Sequence, residues 1–364
     1  MKILYAIQGT GNGHISRARD IIPVLSKMGE LDILISGTEA EVELPYPVKY
    51  RFKGLSFVFG KKGGIDLMAT YKKGNLKRLY DEIKSLPVEN YDIVMNDFEP
   101  VSAWACKLKN KLCIGLSHQA AVVNKLAPKP KKKDVVGYAV LKNYAPVTVK
   151  FGFHFQAYDT DIFTPVIRSQ IRNAEAKNKG HYTVYLPSYS DERIVHMLEH
   201  FPEIEWQVFS KHTSKTYEVG NIKLFPVNNE GFIESFVSCT GILCGAGFET
   251  PAEALYLNKK LMVIPMKGQY EQQCNAAALK EMGVPVIKSL KEKHKDKIKN
   301  WINDYKLIAV DYPDNTEFIV SGIMKTALSG EFAQKTILLG KAPVSEKKFR
   351  RLNFARILNQ ISHS

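Results

Sequence analysis

At 364 residues and 45% hydrophobic content, the chain is too long for one ordinary compact domain and suits two of moderate size. No apolar run approaches the ~20 residues of a membrane helix, and the opening MKILYAI lacks an h-region and a cleavage site, so the expected location is cytoplasmic. The net charge of +14 favours anionic partners such as nucleic acid, lipid headgroups or phosphorylated substrates, although a solvated basic surface accounts for it equally well.

The basic residues cluster at Lys61-Lys62, Lys72-Lys73, Lys77-Arg78, KLAPKPKKK (125–133) and EKKFRR (346–351). Aromatics do not interleave with KPKKK, so a stacking platform for RNA is not supported. Cys106, Cys113, Cys239, Cys244 and Cys274 are odd in number and contain no C-x-x-C pair. That spacing excludes a disulfide framework and a zinc site and suits buried thiols.

The first 150 or so residues alternate apolar runs with helical patterns. Strands are expected at 2–7, 31–36, 48–59, 91–96, 112–117 and 147–155. Between them, ISRARDIIPVLSKMG places Ile15, Ala18, Ile22 and Leu25 at helical spacing and stops at Gly29. MATYKKGNLKRLYDEIKSL and EPVSAWACKLKN predict further helices. After the polar stretch 168–180, a second series gives strands at 181–187, 205–210, 222–225, 241–244, 261–265 and 284–287. The helices TPAEALYLN and EQQCNAAALKEMG fall among them. Repeated strand–helix alternation argues for α/β domains with parallel sheets covered on both faces. In the tail, Phe354, Ile357, Leu358 and Ile361 share one helical face, which predicts a closing helix.

The stretch QGTGNGH follows the first strand. A dinucleotide loop needs G-x-G-x-x-G and an acid at the end of the second strand. Gly9 and Gly11 fit, but position 14 is histidine, and the first acid after the second strand, Glu39, comes late. No Gly-Lys-Ser/Thr follows, which excludes a Walker loop. The loop of Gly11, Asn12 and Gly13 offers backbone freedom at the carboxyl end of a strand, where open α/β sheets place ligands. His14 at its mouth suits a general base, or a helix cap without chemistry. Asp97 and Glu99 follow the fourth strand, and His118 and Gln119 follow the fifth. Singly each is a cap or turn former; together they outline an active-site rim, with Asp97 able to orient a histidine base.

The block LCGAGFETPAEALYLNKKLMVIPMKGQYEQQCNAAAL (243–279) reads as strand, glycine loop, helix, strand and polar loop. Gly245, Ala246 and Gly247, with Phe248, Glu249 and Thr250 after them, lead into a helix whose N-terminus suits a diphosphate. Glu253 suits a ribose diol, and Glu271, Gln272 and Gln273 offer acceptors and amides for sugar hydroxyls. The same residues fit an ordinary strand–turn–helix crossover.

The 243–279 block resembles the donor signature of GT-B glycosyltransferases, of the UDP-glucuronosyltransferase type and of family 28, the peptidoglycan N-acetylglucosaminyltransferase-like enzymes. The opening GTGNGH resembles their N-terminal glycine loop, whose histidine lies in the acceptor site. The resemblance spans both domains and implies two Rossmann-like, doubly wound domains facing a cleft. Residues 1–160 would bind the acceptor and 161–340 the donor, with 341–364 a tail helix packed on the first domain. It also implies Glu253 at the ribose, Glu271 and Gln272, or Gln272 and Gln273, at the donor sugar, and His14 as base with Asp97 as its partner. Gly245 departs from the pattern, standing where many glucosyltransferase-type signatures have a phosphate-contacting histidine, so phosphate contacts would fall to backbone amides. Asp159-Thr160-Asp161 has the spacing of the D-x-D metal motif of the other large glycosyltransferase fold, but it sits by the expected interdomain linker, 156–170, and reads as a turn. The resemblance implies no bound metal and no cofactor beyond the nucleotide sugar.

The expected activity is inverting transfer of a sugar from a nucleoside-diphosphate donor, preferably UDP-linked, to an acceptor hydroxyl. The basic patches and tail helix point to a lipid-linked or cell-envelope acceptor at an anionic membrane surface, with a soluble acceptor left open. Nucleic acid is disfavoured as a partner. The alternatives are a sugar-nucleotide 2-epimerase of the same fold, whose clustered acids and histidines are not found here, and a non-catalytic nucleotide-sugar or nucleic-acid binding protein.

Overall fold

The computed structural model describes residues 1–37, 44–55, 76–304 and 306–332. The expected acid Glu39, the lysine pairs 61–62 and 72–73, the basic run 346–351 and the tail helix 341–364 lie outside the described residues.

The chain forms two units: residues 1–127, 134–166 and the chain from Asp314 make the first, and 128–133 with 167–313 make the second. In the first, strands β1 (Lys2–Gln8), β2 (Glu30–Ser36), β3 (Tyr50–Phe52), β4 (Ile93–Asp97), β5 (Cys113–Leu116), β6 (Val149–Phe153) and β7 (Ile162–Phe163) form one sheet in the order 3-2-1-4-5-6-7. Every pairing in it is parallel. Helices α1 (Asn12–Ser26), α2 (Leu76–Ser85), α3 (Pro100–Leu108), α4 (His118–Val122) and α5 (Val135–Asn143) fall between these strands. Leu4, Leu34, Val94, Val101 and Trp104 belong to its core.

The second unit repeats the theme. Strands β8 (Tyr182–Tyr185), β9 (Trp206–Ser210), β10 (Tyr217–Val219), β11 (Ile222–Pro226), β12 (Gly241–Gly245) and β13 (Lys260–Ile264) are ordered 10-11-9-8-12-13. The β10–β11 edge pair is antiparallel and the remaining pairs are parallel. Helices α6 (Asp191–Leu198), α7 (Asn229–Ser238), α8 (Glu249–Tyr256), α9 (Tyr270–Glu281) and α10 (Lys295–Asn303) complete it. Val184, Trp206, Val208, Leu243 and Met262 lie in its core.

Several expectations differ from these elements. The chain passes to the second unit at Ile167 and returns at Asp314, where the sequence placed those points at 161 and 341. The return is early because α11 (Thr316–Leu328) buries Ile319, Val320, Ile323 and Met324 and packs on α1. Asp159 and Asp161 therefore lie inside the first unit, in the turn before β7, where Asp159 accepts from the Asn124 amide at 2.8 Å. The run 284–287 forms only an isolated bridge, Val263 to Val286. Of the strand expected over 48–59, β3 forms across 50–52, and residues 56–59 lie outside the described residues. β7 and β10 are too short for a hydrophobic period to reveal.

Each sheet reverses its winding direction once, and ligands of open α/β sheets bind beyond the strand ends at that reversal. In the first unit the reversal lies between β1 and β4, which end at Gln8 and Asp97. In the second it lies between β8 and β12, which end at Tyr185 and Gly245. Both glycine loops thus stand where this architecture receives ligands.

Candidate active site

The first loop is held by close backbone approach. A Cβ on Gly9 would lie 2.8 Å from Ile35 Cγ2 and 3.0 Å from the Ser36 carbonyl oxygen, so only glycine fits there. Gly9 N donates to that carbonyl at 2.6 Å, tying the β1 loop to β2. Gly11 caps α1 at φ 128, a left-handed conformation that L side chains rarely adopt. With the cap set there, His14 falls in the first turn of α1 and Arg17 one turn later on the same face.

Both side chains turn to Asp97 at the end of β4. His14 Nδ1 lies 2.9 Å from Asp97 Oδ1, and Arg17 Nη2 donates to Oδ1 and Oδ2 at 2.7 and 2.8 Å. Arg17 and Asp97 are 2% and 0% exposed, so this is an ion pair withdrawn from water. Burial pushes the Asp97 carboxyl up, but the Arg17 guanidinium and His14 outweigh it and hold it below the usual carboxylate range. A carboxylate only accepts, so Nδ1 carries the proton and Nε2 keeps its lone pair. The amide Nε2 of Gln119 lies 3.3 Å from that lone pair. An imidazole fixed in this tautomer, with Nε2 directed at a polar group, is arranged as a proton acceptor.

Phe98 follows Asp97 at φ 58, a left-handed conformation unusual for a bulky residue. The kink separates the roles of its neighbours: Asp97 faces α1, whereas Glu99 turns back onto α3. The Phe98 ring lies nearly parallel to His14 at 6.4 Å and packs on Tyr144 at 4.8 Å, bracing the imidazole. Backbone strain of this kind gathers at functional sites.

The structure corrects two of the acceptor-side expectations. Glu99 is fully buried and is the N-cap of α3, accepting from Val101 N and Ser102 N at 2.6 Å each and from the Ser36 hydroxyl at 2.6 Å. Its carboxyl is pushed up by burial, against the pull of those donors. An acid at a strand end reads alike as a rim residue or a cap, and the orphan amides of α3 claimed this one. Glu99→Ala is therefore expected to cost about 2 kcal/mol or more, read as a lowered denaturation midpoint, with KM for both substrates unchanged. His118 is 1% exposed, with Nδ1 2.8 Å from the Phe153 carbonyl and its ring edge-on to His154, so it braces α4 against β6. Gln119 is the member of that pair that reaches His14.

Beside α4 the first unit holds a cavity of about 480 Å³, lined by Ala120, Asn124, Lys125, Tyr138, Lys142 and Lys150, among others. Asp159 and Asp161 also line it.

In the second unit β12 ends at Gly245, and Ala246 and Gly247 lead to Phe248, the N-cap of α8. A Cβ on Gly247 would meet nothing within 4 Å, and one on Gly245 would meet only Gln272 Oε1 at 3.7 Å. Neither glycine has the positive φ that would require it. The chain's own packing does not demand these glycines, in contrast to Gly241, where a Cβ would lie 2.8 Å from Tyr182 and Lys260. Gln272 Oε1 accepts from Met266 N at 2.9 Å, and the Asn275 amide donates to the Ala246 carbonyl at 3.1 Å, so α9 holds the loop from beneath. Glu271, Gln272 and Gln273 occupy the first turn of α9, and Glu249 and Thr250 that of α8, all partly exposed.

Glu253 has a partner that sequence reasoning did not name. It is 1% exposed, and Arg168 donates to its two oxygens at 2.5 and 2.7 Å through Nε and Nη2. Burial pushes this carboxyl up while Arg168 pulls it down. Arg17, Asn275 and Arg168 were all missed. Arg17 alone left a signal, its i,i+3 spacing from His14; the other two act across sequence gaps that periodicity does not read.

A profile of glycosyl transferase family 1 matches residues 1–305. The chain belongs to this family. No curated protein matches its sequence. Among solved structures it is similar to Acinetobacter baumannii MurG, with TM-score 0.57 and 15% identity over 89% of this chain and 99% of that one. Arabidopsis thaliana UGT89C1, complexed with UDP, superposes with TM-score 0.55 at 12% identity over 90% and 94% of the two chains. Spinosyn rhamnosyltransferase SpnG, complexed with thymidine diphosphate, gives TM-score 0.51 at 12% identity over 90% and 96%. This family 1 glycosyltransferase therefore has the GT-B fold expected of it, and its activity is sugar transfer. Family membership leaves the epimerase and the non-catalytic binding protein without support. Among the described residues no helix is long and apolar enough to cross a membrane.

Proposed function

We propose that this glycosyltransferase moves a sugar, with inversion and without metal or cofactor, from a nucleoside-diphosphate sugar to an acceptor hydroxyl. The observation that carries the reading is the open space over Gly245 and Gly247 at the winding reversal of the second sheet, ahead of the α8 N-terminus. Glycines that the packing does not require leave room for a ligand to approach the backbone, and amides at a helix N-terminus favour a diphosphate. UDP is the preferred nucleotide on the likeness to UGT89C1, solved with UDP; thymidine diphosphate, found with SpnG, is the second choice.

In the reaction His14 Nε2 takes the proton of the acceptor hydroxyl as its oxygen bonds to the anomeric carbon. The bond from that carbon to the diphosphate oxygen breaks, and the nucleoside diphosphate leaves with the electron pair. Asp97 holds the tautomer and opposes the charge that develops on the imidazole. Loop 245–247 and the α8 dipole oppose the charge on the leaving group. Gln119 donates to the attacking oxygen once the acceptor hydroxyl displaces it from His14. Glu253, Glu271, Gln272 and Gln273 supply the polar contacts for ribose and sugar. A lipid-linked phosphate at an anionic membrane surface is the proposed acceptor on the chain's net charge of +14, since the cavity beside α4 sets three lysines against Asp159 and Asp161 and is itself close to balanced.

A thermal-shift panel of nucleoside diphosphates and their sugars tests the donor. UDP is expected to raise the melting temperature, and no shift with any nucleoside diphosphate overturns the reading. Gly247→Val sharpens the test. Its side chain enters open space, so the unliganded melting temperature should change by only a degree or two, while nucleotide affinity falls at least tenfold.

A further inference from the structure

Away from the glycine loops, the second unit carries a cluster that the transfer reaction does not use. His196 lies on α6 and His200 just past its end, and Glu292 reaches them from the 3-10 turn Glu292–His294. His196 Nε2 and His200 Nε2 approach the same atom, Glu292 Oε1, at 3.2 and 2.9 Å. The ligating atoms of the three residues all lie within 4.8 Å of one another. Their side chains are 72%, 29% and 55% exposed, so an ion from solvent can reach them.

We propose that His196, His200 and Glu292 form a surface binding site for a divalent transition-metal ion of the Zn²⁺ class. Imidazole nitrogen and carboxylate oxygen are the donors such ions take, and ligand bonds of about 2.0–2.2 Å in a tetrahedral shell place neighbouring donors about 3.3–3.5 Å apart. The two separations to Glu292, 3.2 and 2.9 Å, are close to that, and the ligating atoms of the two histidines lie within 4.8 Å of each other, so a metal enters by side-chain rotation. Two imidazoles and a carboxylate leave the fourth position to water. Lys295 is the opposing element: its Nζ lies 3.2 Å from His200 Nδ1. Coordination through Nε2 puts the proton on Nδ1, so Lys295 must turn away before the metal binds. The bound ion pins α6 to the turn before α10, joining two segments nearly a hundred residues apart in sequence. H-x-x-x-H at 196–200 is a weak signal in the sequence, because its third ligand lies too far along the chain to pair by spacing.

The test is calorimetric titration of the untagged full chain with ZnCl₂ in a non-chelating buffer, with Co²⁺ absorption reporting tetrahedral coordination. One equivalent should bind, with the affinity lowered about 10–100-fold or more in His196→Ala/His200→Ala and also lowered in Glu292→Gln. Lys295→Ala should bind Zn²⁺ several-fold more tightly than the parent. Matching circular dichroism spectra establish that the variants fold, which the exposure of the side chains favours. Absence of a stoichiometric site, or Zn²⁺ bound equally well by the double-histidine variant, overturns the proposal and leaves the cluster an ion pair.

Discussion

His14→Gln is expected to lower kcat by about 10²–10⁴-fold while leaving the thermal shift produced by UDP intact. Glutamine keeps the size and polarity of the position but cannot take a proton. The proposed donor loop lies in the other unit, so the UDP shift reads the integrity of that unit apart from catalysis. Asp97→Asn should reproduce part of the loss, because an amide no longer enforces a proton on Nδ1 of the imidazole. Turnover that survives His14→Gln undiminished would remove the base assignment and leave family membership untouched.

Arg17→Met should destabilise the first unit by about 3–5 kcal/mol, because it strands a buried carboxylate. The reading is a lowered denaturant midpoint with an unchanged m-value. Arg17→Met/Asp97→Leu should recover part of that loss, since it removes the orphaned charge along with its partner. A double variant no more stable than Arg17→Met would mean that packing, not charge, dominates at this position. The pH dependence has a definite sign. Asp97 is held below the usual carboxylate range in the folded state, so its contribution is complete above about pH 4. That contribution is lost as pH falls through the depressed folded value. In Arg17→Met, Asp97 loses its principal counter-charge, burial pushes its carboxyl up, and acid unfolding should begin at a higher pH than in the parent.

Arg17 also bears on the His14–Asp97 pair, since much of the Asp97 charge is met by a guanidinium in two short hydrogen bonds. In the proposed reaction Asp97 then serves mainly to orient the imidazole.

Much of this protein was legible in its sequence, because the signals concerned are local. The strand–helix alternation, the glycine loops after β1 and β12, and the placement of His14 beside a strand end all follow from periodicity and turn chemistry within a few residues. The pairing of His14 with Asp97 was suggested by strand ends that share one edge and by the family resemblance, and the folded chain brings the two side chains together. The same logic could not tell a rim residue from a cap. Glu99 and His118 stand at strand ends as Asp97 does, yet one satisfies the orphan amides of α3 and the other a carbonyl of β6.

By itself, then, the sequence determined the α/β repetition, the position of both loops and the chemical class of residues around them. Those depend on backbone preferences and hydrophobic period, which each segment carries alone. Only the tertiary structure decided which charges meet. Arg17 rather than water faces Asp97, Arg168 engages Glu253, α11 returns to α1 from Asp314 onward, and His196 and His200 share Glu292. Partner choice of that kind is set by burial and by distance in the folded chain. A charge enters the interior only where the rest of the chain supplies its counter-charge, and no local pattern encodes where that partner comes from.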